Sequence, residues 1–220
     1  MLEVNELSFA YDNEKIVLDE VSFRLEAGVI YCLLGVNGAG KTTLFNCLSG
    51  FLKSNLTIDQ EQIKDKLLYI QDQMHFYLNL TGLEFTELIF SLKEKHFDSE
   101  QFDQLLDRLK MTDYKEERIA TYSLGTKQKL VLIIGLLLDY QYILMDEPFA
   151  AIDFITAEVI TDVLKSVKEA GKTIVVSTHQ LDIAQELADE ILFLNNGKVH
   201  QIDNQFSTPH ELKNYIRAYI

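Results

Sequence analysis

The sequence has no tryptophan, two prolines and two cysteines in 220 residues, and each scarcity closes off a class of protein. Two prolines leave no material for a polyproline segment or a proline-rich linker between domains. The two cysteines, Cys32 and Cys47, each sit in an apolar run. They do not make a disulfide framework and read as reduced core residues of a cytosolic protein. Long hydrophobic runs are also missing. The longest, Leu130 to Leu138 (LVLIIGLLL), falls well short of the ~20 apolar residues that a membrane span needs. Flanked by Lys127, Lys129 and Asp139, it predicts a buried helix. The N-terminal MLEVNELSFAY lacks the basic start and apolar stretch of a secretion signal. The last shortage is of positive charge, with 20 Lys and Arg against 34 Asp and Glu and a net charge of −14. Nucleic-acid affinity rests largely on Lys and Arg at phosphates, so no nucleic-acid partner is expected. The acidic surplus reads as a contribution to solubility.

What is present is organised around Gly35 to Thr43, GVNGAGKTT. The pattern G-x-x-x-x-G-K-T follows the apolar run Val29 to Leu34 and leads into Leu44-Phe45-Asn46-Cys47-Leu48, so strand, loop and helix come in P-loop order. Gly38 and Gly40 leave room for backbone N–H groups to turn inward around a polyphosphate. Asn37, Ala39 and Thr43 complete that wrap, at a helix N-terminus that already favours anions. Lys41 is placed to reach the outer phosphates and the Thr42 hydroxyl to ligate Mg²⁺. The chemistry implied is nucleoside triphosphate binding.

The 47% hydrophobic content supplies a core for one α/β domain with a lobe inserted in it. Residues 2–9 and 21–26 alternate as strands, with Tyr11-Asp12-Asn13 as a turn, and Thr57-Ile58-Asp59 is a candidate edge strand. Leu67 to Gln71 reads as another strand. Thr81-Gly82-Leu83-Glu84 has capping-box spacing ahead of a Phe85, Leu88, Ile89, Leu92 stripe. Asp98 with Gln101 starts a second helix on Phe102, Leu105, Leu106 and Leu109. Consecutive amphipathic helices without strands predict a helical lobe over 74–122, inserted between core segments 1–73 and 123–220. Then follow a helix from Ser123, a strand Tyr142–Met145, a helix Ile155–Ala170 and a strand Thr173–Ser177. This alternation predicts a mainly parallel sheet covered on both faces. Asn195-Asn196-Gly197 marks a hairpin, and Thr208-Pro209-His210-Glu211 a second capping box opening a terminal helix.

A second constellation is Tyr142-Ile143-Leu144-Met145-Asp146-Glu147, a buried strand ending in two carboxylates. Beside a P-loop, Asp146 at the strand's C-terminal end is placed to hold Mg²⁺, and Glu147 to orient or deprotonate an attacking water. Shortly before it, Tyr122-Ser123-Leu124-Gly125-Thr126-Lys127-Gln128-Lys129 resembles the signature motif of ATP-binding-cassette (ABC) ATPases, with Y-S-L-G-T in place of L-S-G-G-Q. The Y-S-x-G-x-x-Q-K form is similar to cassette subunits of bacterial ABC-2 type exporters.

The resemblance extends over essentially the whole chain as a single 1–220 cassette domain, and it implies further roles. Tyr11 becomes the aromatic that stacks on adenine, Ala150-Ala151-Ile152-Asp153 the D-loop and His179 the switch histidine. Ser123 and Gly125 become ligands of a γ-phosphate held by a second cassette in a head-to-tail dimer. The Q-loop position falls on Asp72, flanked by Gln71 and Gln73, and which of the three fills the role stays open; an Asp can supply an oxygen to Mg²⁺ as a glutamine can. Leu124 stands where the family has Gly. The resemblance further implies an ATPase, peripheral on the inner face of the cell membrane, working with separate transmembrane subunits. Their contact would lie near Met74-His75-Phe76-Tyr77-Leu78. A soluble cassette ATPase without a membrane partner is the alternative.

Overall fold

The computed structural model describes residues 1–12, 15–55, 63, 65–72 and 74–219. Two strands, β1 (Leu2–Tyr11) and β2 (Lys15–Leu25), pair antiparallel as a separate two-stranded sheet. Strands β3 (Ile30–Leu34), β4 (Leu67–Ile70), β5 (Tyr142–Asp146), β6 (Thr173–Thr178), β7 (Glu190–Asn195) and β8 (Lys198–Asp203) form a six-stranded sheet. Its order is β4-β5-β6-β3-β7-β8, parallel throughout except for β8. Strands β3, β5 and β6 are buried along their whole length, as parallel strands covered on both faces must be.

The two faces separate by the two-residue period of a strand. Tyr31, Leu33, Leu144 and Val175 point into a core shared with β1, β2 and helix α1 (Lys41–Leu48). Ile30, Cys32, Ile143, Met145, Ile174 and Val176 point to the other side. There they meet α4 (Leu124–Leu137), α5 (Phe154–Glu169), α6 (Leu181–Leu187) and α7 (Pro209–Ile216). Residues 74–122 contribute α2 (Gly82–Leu92), α3 (Ser99–Arg108) and two short 3-10 turns. The Phe85, Phe90, Phe102 and Leu106 side chains of that segment join the same core.

Local signals read from sequence reappear with their chemistry. Thr81 and Glu84 exchange side-chain and backbone hydrogen bonds as a capping box on α2, and Asp98 Oδ1 accepts the Glu100 and Gln101 amides. Asn196 lies at φ 47° in the β7–β8 turn, as an Asn-Gly hairpin requires. Four expectations need correcting or setting aside. Both N-terminal strands run longer than predicted, because register shifts accompanied by left-handed Glu6 and Glu20 (φ 52° and 51°) break the alternation that sequence reading relies on. Helix α6 was not anticipated; its Leu181, Ala184, Leu187 stripe is too short to stand out. At α7 the Glu211 carboxylate accepts the Ser207 amide rather than that of the Thr208 cap, so the box is offset by one residue. The Thr57–Asp59 strand lies outside the described residues. No described helix is long and apolar enough to cross a membrane.

Candidate functional site

The P-loop leaves the carboxyl end of β3 at the middle of the sheet. Gly40 caps α1 at φ 107°, in left-handed space that L-residues avoid, and an added Cβ would lie 2.9 Å from Val17 Cγ1. No side chain caps the helix, so its first amides remain available for an anion. Tyr11, Val17, Asn37, Gly38, Gly40, Lys41, Thr42 and Thr43 line a cleft of about 380 Å³, closed on its far side by Asp146 and Glu147. Of the predicted phosphate-loop residues, Gly35 and Ala39 do not line it. The Gly35 carbonyl receives Lys41 Nζ at 2.8 Å, and Ala39 packs against the core. Tyr11 is half-exposed at the cleft edge, edge-on to Phe9, with its hydroxyl 3.3 Å from Thr43 Oγ1.

The opposite wall comes from the ends of β5 and β6. Asp146 is 5% exposed. Its Oδ2 accepts Thr42 Oγ1 at 2.7 Å and the Tyr69 hydroxyl at 3.3 Å, and its Oδ1 accepts the Ser177 hydroxyl. Glu147 follows in left-handed backbone (φ 48°), its carboxylate 3.4 Å from Lys41 Nζ and 3.2 Å from His179 Nδ1. Of the three predicted catalytic residues, Glu147 therefore touches both Lys41 and His179. A cationic Lys41 beside the Glu147 carboxylate, next to a helix N-terminus without a side-chain cap, is an arrangement suited to phosphoryl transfer to water.

Ser123 and Gly125 lie elsewhere and do not line that cleft. Ser123 caps α4, accepting the Thr126 amide at 3.1 Å with its hydroxyl 2.7 Å from Thr126 Oγ1. Gly125 lies so close to the D-loop that an added Cβ would be 2.7 Å from the Ala151 carbonyl oxygen, and Gln128 Oε1 accepts the Ala151 amide at 3.3 Å. The signature segment and the D-loop are thus packed as one surface. Tyr122 is buried against Tyr114, its hydroxyl donating to the Tyr114 carbonyl.

Comparison with known proteins identifies the family. The family model described as ABC transporter matches residues 18–150. The chain belongs to the ABC transporter family. It is 32% identical over 217 residues to "Putative ABC transporter ATP-binding protein AlbC" of Bacillus subtilis (strain 168), covering 92% of this chain and 91% of that protein. A solved structure described as the ATP binding subunit of an ABC transporter superposes with TM-score 0.81 at 25% identity, covering 99% of this chain and 92% of that one. The dimeric post-hydrolysis structure of the ATP-binding cassette MJ0796 bound to ADP and Pi superposes with TM-score 0.79 at 26% identity, over 94% of this chain and all of that one (100%).

In this ABC cassette the cation-binding potential lies in a second cleft of about 310 Å³, lined by Thr42, Asn46, Tyr69, Gln71, Asp72 and Asp146. Its donors are dominated by oxygen, as a hard cation requires. Partial burial and then the charges of Asp146 and Glu147 raise the Asp72 carboxyl above its ordinary value, a repulsion that a divalent cation relieves. Among the described residues no three His, Cys, Asp or Glu side chains form a closed cage. Asp72 and Gln71 both reach this cleft; Gln73 lies outside the described residues. A larger apolar groove of about 590 Å³ adjoins it, between Met74, His75, Phe76 and Leu78 on one side and Leu124, Gln128 and Val131 of α4 on the other. Tyr77 does not line the groove and is 62% exposed. Sequence reading missed two site residues, Ser177 and Tyr69. Both sit inside apolar strands, where a hydroxyl is the only signal.

Proposed function

We propose that this chain is the ATP-hydrolysing subunit of an ABC transporter, energising transport, in the export direction, through separate membrane subunits. The observation that carries the reading is the convergence of Lys41, Thr42, Asp146, Glu147 and His179 at the carboxyl ends of β3, β5 and β6. On ATP binding, Lys41 exchanges the Gly35 carbonyl and Glu147 for the outer phosphates, while the free amides of α1 take the rest of the anion. Tyr11 offers its ring to the adenine. Thr42, Asp146 and the Asp72 side chain would hold Mg²⁺, which would supply charge neutralisation at the phosphates. Glu147, released from Lys41, accepts a proton from the water whose oxygen attacks the γ-phosphorus. His179 donates to the γ-phosphate and, with Asp153, reports its departure. Ser123 and Gly125 bind the γ-phosphate of a second copy, and the apolar groove beside Met74–Leu78 receives the membrane subunit at the inner face of the membrane. The dimeric ADP-and-phosphate form of MJ0796 supports the paired arrangement.

Phosphate release by the purified chain tests the reading. Glu147→Gln is expected to keep ATP binding and lower turnover by roughly 100-fold or more, the range for a positioned base. Unchanged hydrolysis would place the base elsewhere. Wild-type specific activity should rise with protein concentration as dimers form; a flat dependence counts against the shared site. In cells the chain should co-purify with detergent-solubilised membranes. Recovery only with ribosomes or nucleoid would favour a soluble cassette ATPase and sink the transporter reading.

A further inference from the structure

Strand β6 reads Thr173-Ile-Val-Val-Ser177-Thr178, and every residue is buried. Ser177 is wholly inaccessible at a position flanked by β-branched residues, where a hydroxyl gains nothing from burial and costs free energy unless it is bonded. Here it is bonded twice. The strand register sets Ser177 directly beside Asp146, to whose Oδ1 its hydroxyl donates. Ser177 Oγ in turn accepts the Glu147 backbone N–H at 2.9 Å. That amide belongs to a residue held at φ 48°, a backbone conformation that a glutamate does not keep without support. One hydroxyl thus fixes the side chain of the first carboxylate and the backbone of the second, with donor and acceptor capacity both in use.

We infer that Ser177 is a positioning residue that sets the orientation of Asp146 and the left-handed turn at Glu147 together, so that cation binding and water activation share one anchor. The inference rests on the functional reading above. Thr42 and Tyr69 hold only the other oxygen of Asp146, and His179 contacts only the Glu147 side chain. Removal of the Ser177 hydroxyl therefore disturbs both carboxylates, whereas removal of any one of these others disturbs one.

The test compares Ser177→Thr with Ser177→Val, which match in shape and differ in the hydroxyl, alongside Ser177→Ala. The readouts are kcat and KM for ATP, the melting temperature, and the affinity for a fluorescent ATP analogue with Mg²⁺ and with EDTA. Val and Ala are expected to lower kcat roughly 10- to 100-fold, as a displaced catalytic group does. Analogue affinity in EDTA should stay within about twofold, because the P-loop amides are untouched, and the gain in affinity on adding Mg²⁺ should shrink. Thr should recover most of kcat and of the Mg²⁺ gain. Equal kcat and equal Mg²⁺ gain in the Thr and Val forms would overturn the inference, as would losses that track melting temperature alone. Absence of phosphate release by the wild type would sink the functional reading instead; the Mg²⁺ gain in the Thr and Val forms would still decide Ser177.

Discussion

The sheet-end wall and the signature segment carry comparable polar chemistry in opposite states of completion. At the sheet ends Lys41, Asp146 and Ser177 are 7%, 5% and 0% exposed, and their hydrogen bonds run between α1, β3, β5 and β6. In the signature segment the hydrogen bonds of Ser123 stay within its own first turn, and Leu124 beside it is 64% exposed. Buried polar groups must find partners within the fold, while exposed ones at a helix N-terminus can wait for an anion. The contrast is what the proposed division of the site between two copies would require. One wall is hydrogen-bonded within each chain, and the other faces outward.

The largest effect should come from breaking the finished wall. Lys41→Ala removes the cation that bridges the P-loop carbonyl and Glu147. Loss of a single transition-state donor costs on the order of 100- to 1000-fold, and nucleotide affinity should fall as well, because the lysine meets the phosphates in the ground state. Equilibrium binding and phosphate release check both. Retained affinity would show that the amides alone hold the nucleotide.

Breaking the outward wall should separate those two readouts. In Gly125→Ala the new methyl meets the Ala151 carbonyl at 2.7 Å, and backbone must move. Overpacking of this kind costs ~1–3 kcal/mol, so turnover should fall on the order of tenfold while monomer affinity for ATP stays unchanged. Equal loss of both would mean that the signature segment serves its own chain's cleft. A finer cut is available at Ser123. Ser123→Ala should lower stability by about 1 kcal/mol through the lost cap, and Ser123→Asp should restore it because Asp caps as well. If Ser123 meets a γ-phosphate, Asp restores the melting temperature and not turnover, since it brings a negative charge to an anion. Recovery of both would leave Ser123 a cap and nothing more.

These two walls were not equally legible. The P-loop and the Asp146–Glu147 pair are each a contiguous segment that follows an apolar run, so their type and placement could be read directly. The strands that carry them are buried on both faces and therefore uniformly apolar. Ser177 and Tyr69 were missed because their function depends on register. Ser177 meets Asp146 only because β6 pairs with β5, and the two residues lie 31 positions apart in the chain. The N-terminal strands were read short for a related reason: left-handed Glu6 and Glu20 shift the pairing, and no residue type announces it. The position of Asp72 could be counted, but its neighbours Thr42 and Asp146 become visible only once β4 is laid beside β5.

The smallest effect is expected where the signature helix is fastened at its far end. Asp139, just beyond α4, pairs with Lys172 at 2.7 Å, immediately ahead of the strand that ends in Ser177 and Thr178. The hydrogen bond from Lys172, and then its charge, hold the Asp139 carboxyl below its ordinary value. A folded-state value below the unfolded one gives stability that is present above the usual carboxylate range, about pH 3.9, and is lost as pH falls through the lower folded value. Asp139 is 84% exposed, however, and a screened pair of this kind contributes roughly 0–1 kcal/mol. The helix end also has a second hold, because Lys95 Nζ donates to the Leu138 carbonyl and sits 3.9 Å from the Tyr140 ring centroid. Lys172→Ala should therefore lower the melting temperature slightly at neutral pH, with the difference from wild type vanishing in strong acid and in high salt, and should leave turnover unchanged. A change in turnover beyond about twofold would mean that strain at this end of α4 reaches the signature segment, so that the outward wall is tuned from within its own chain and the division between the two walls is less sharp than their hydrogen bonding implies.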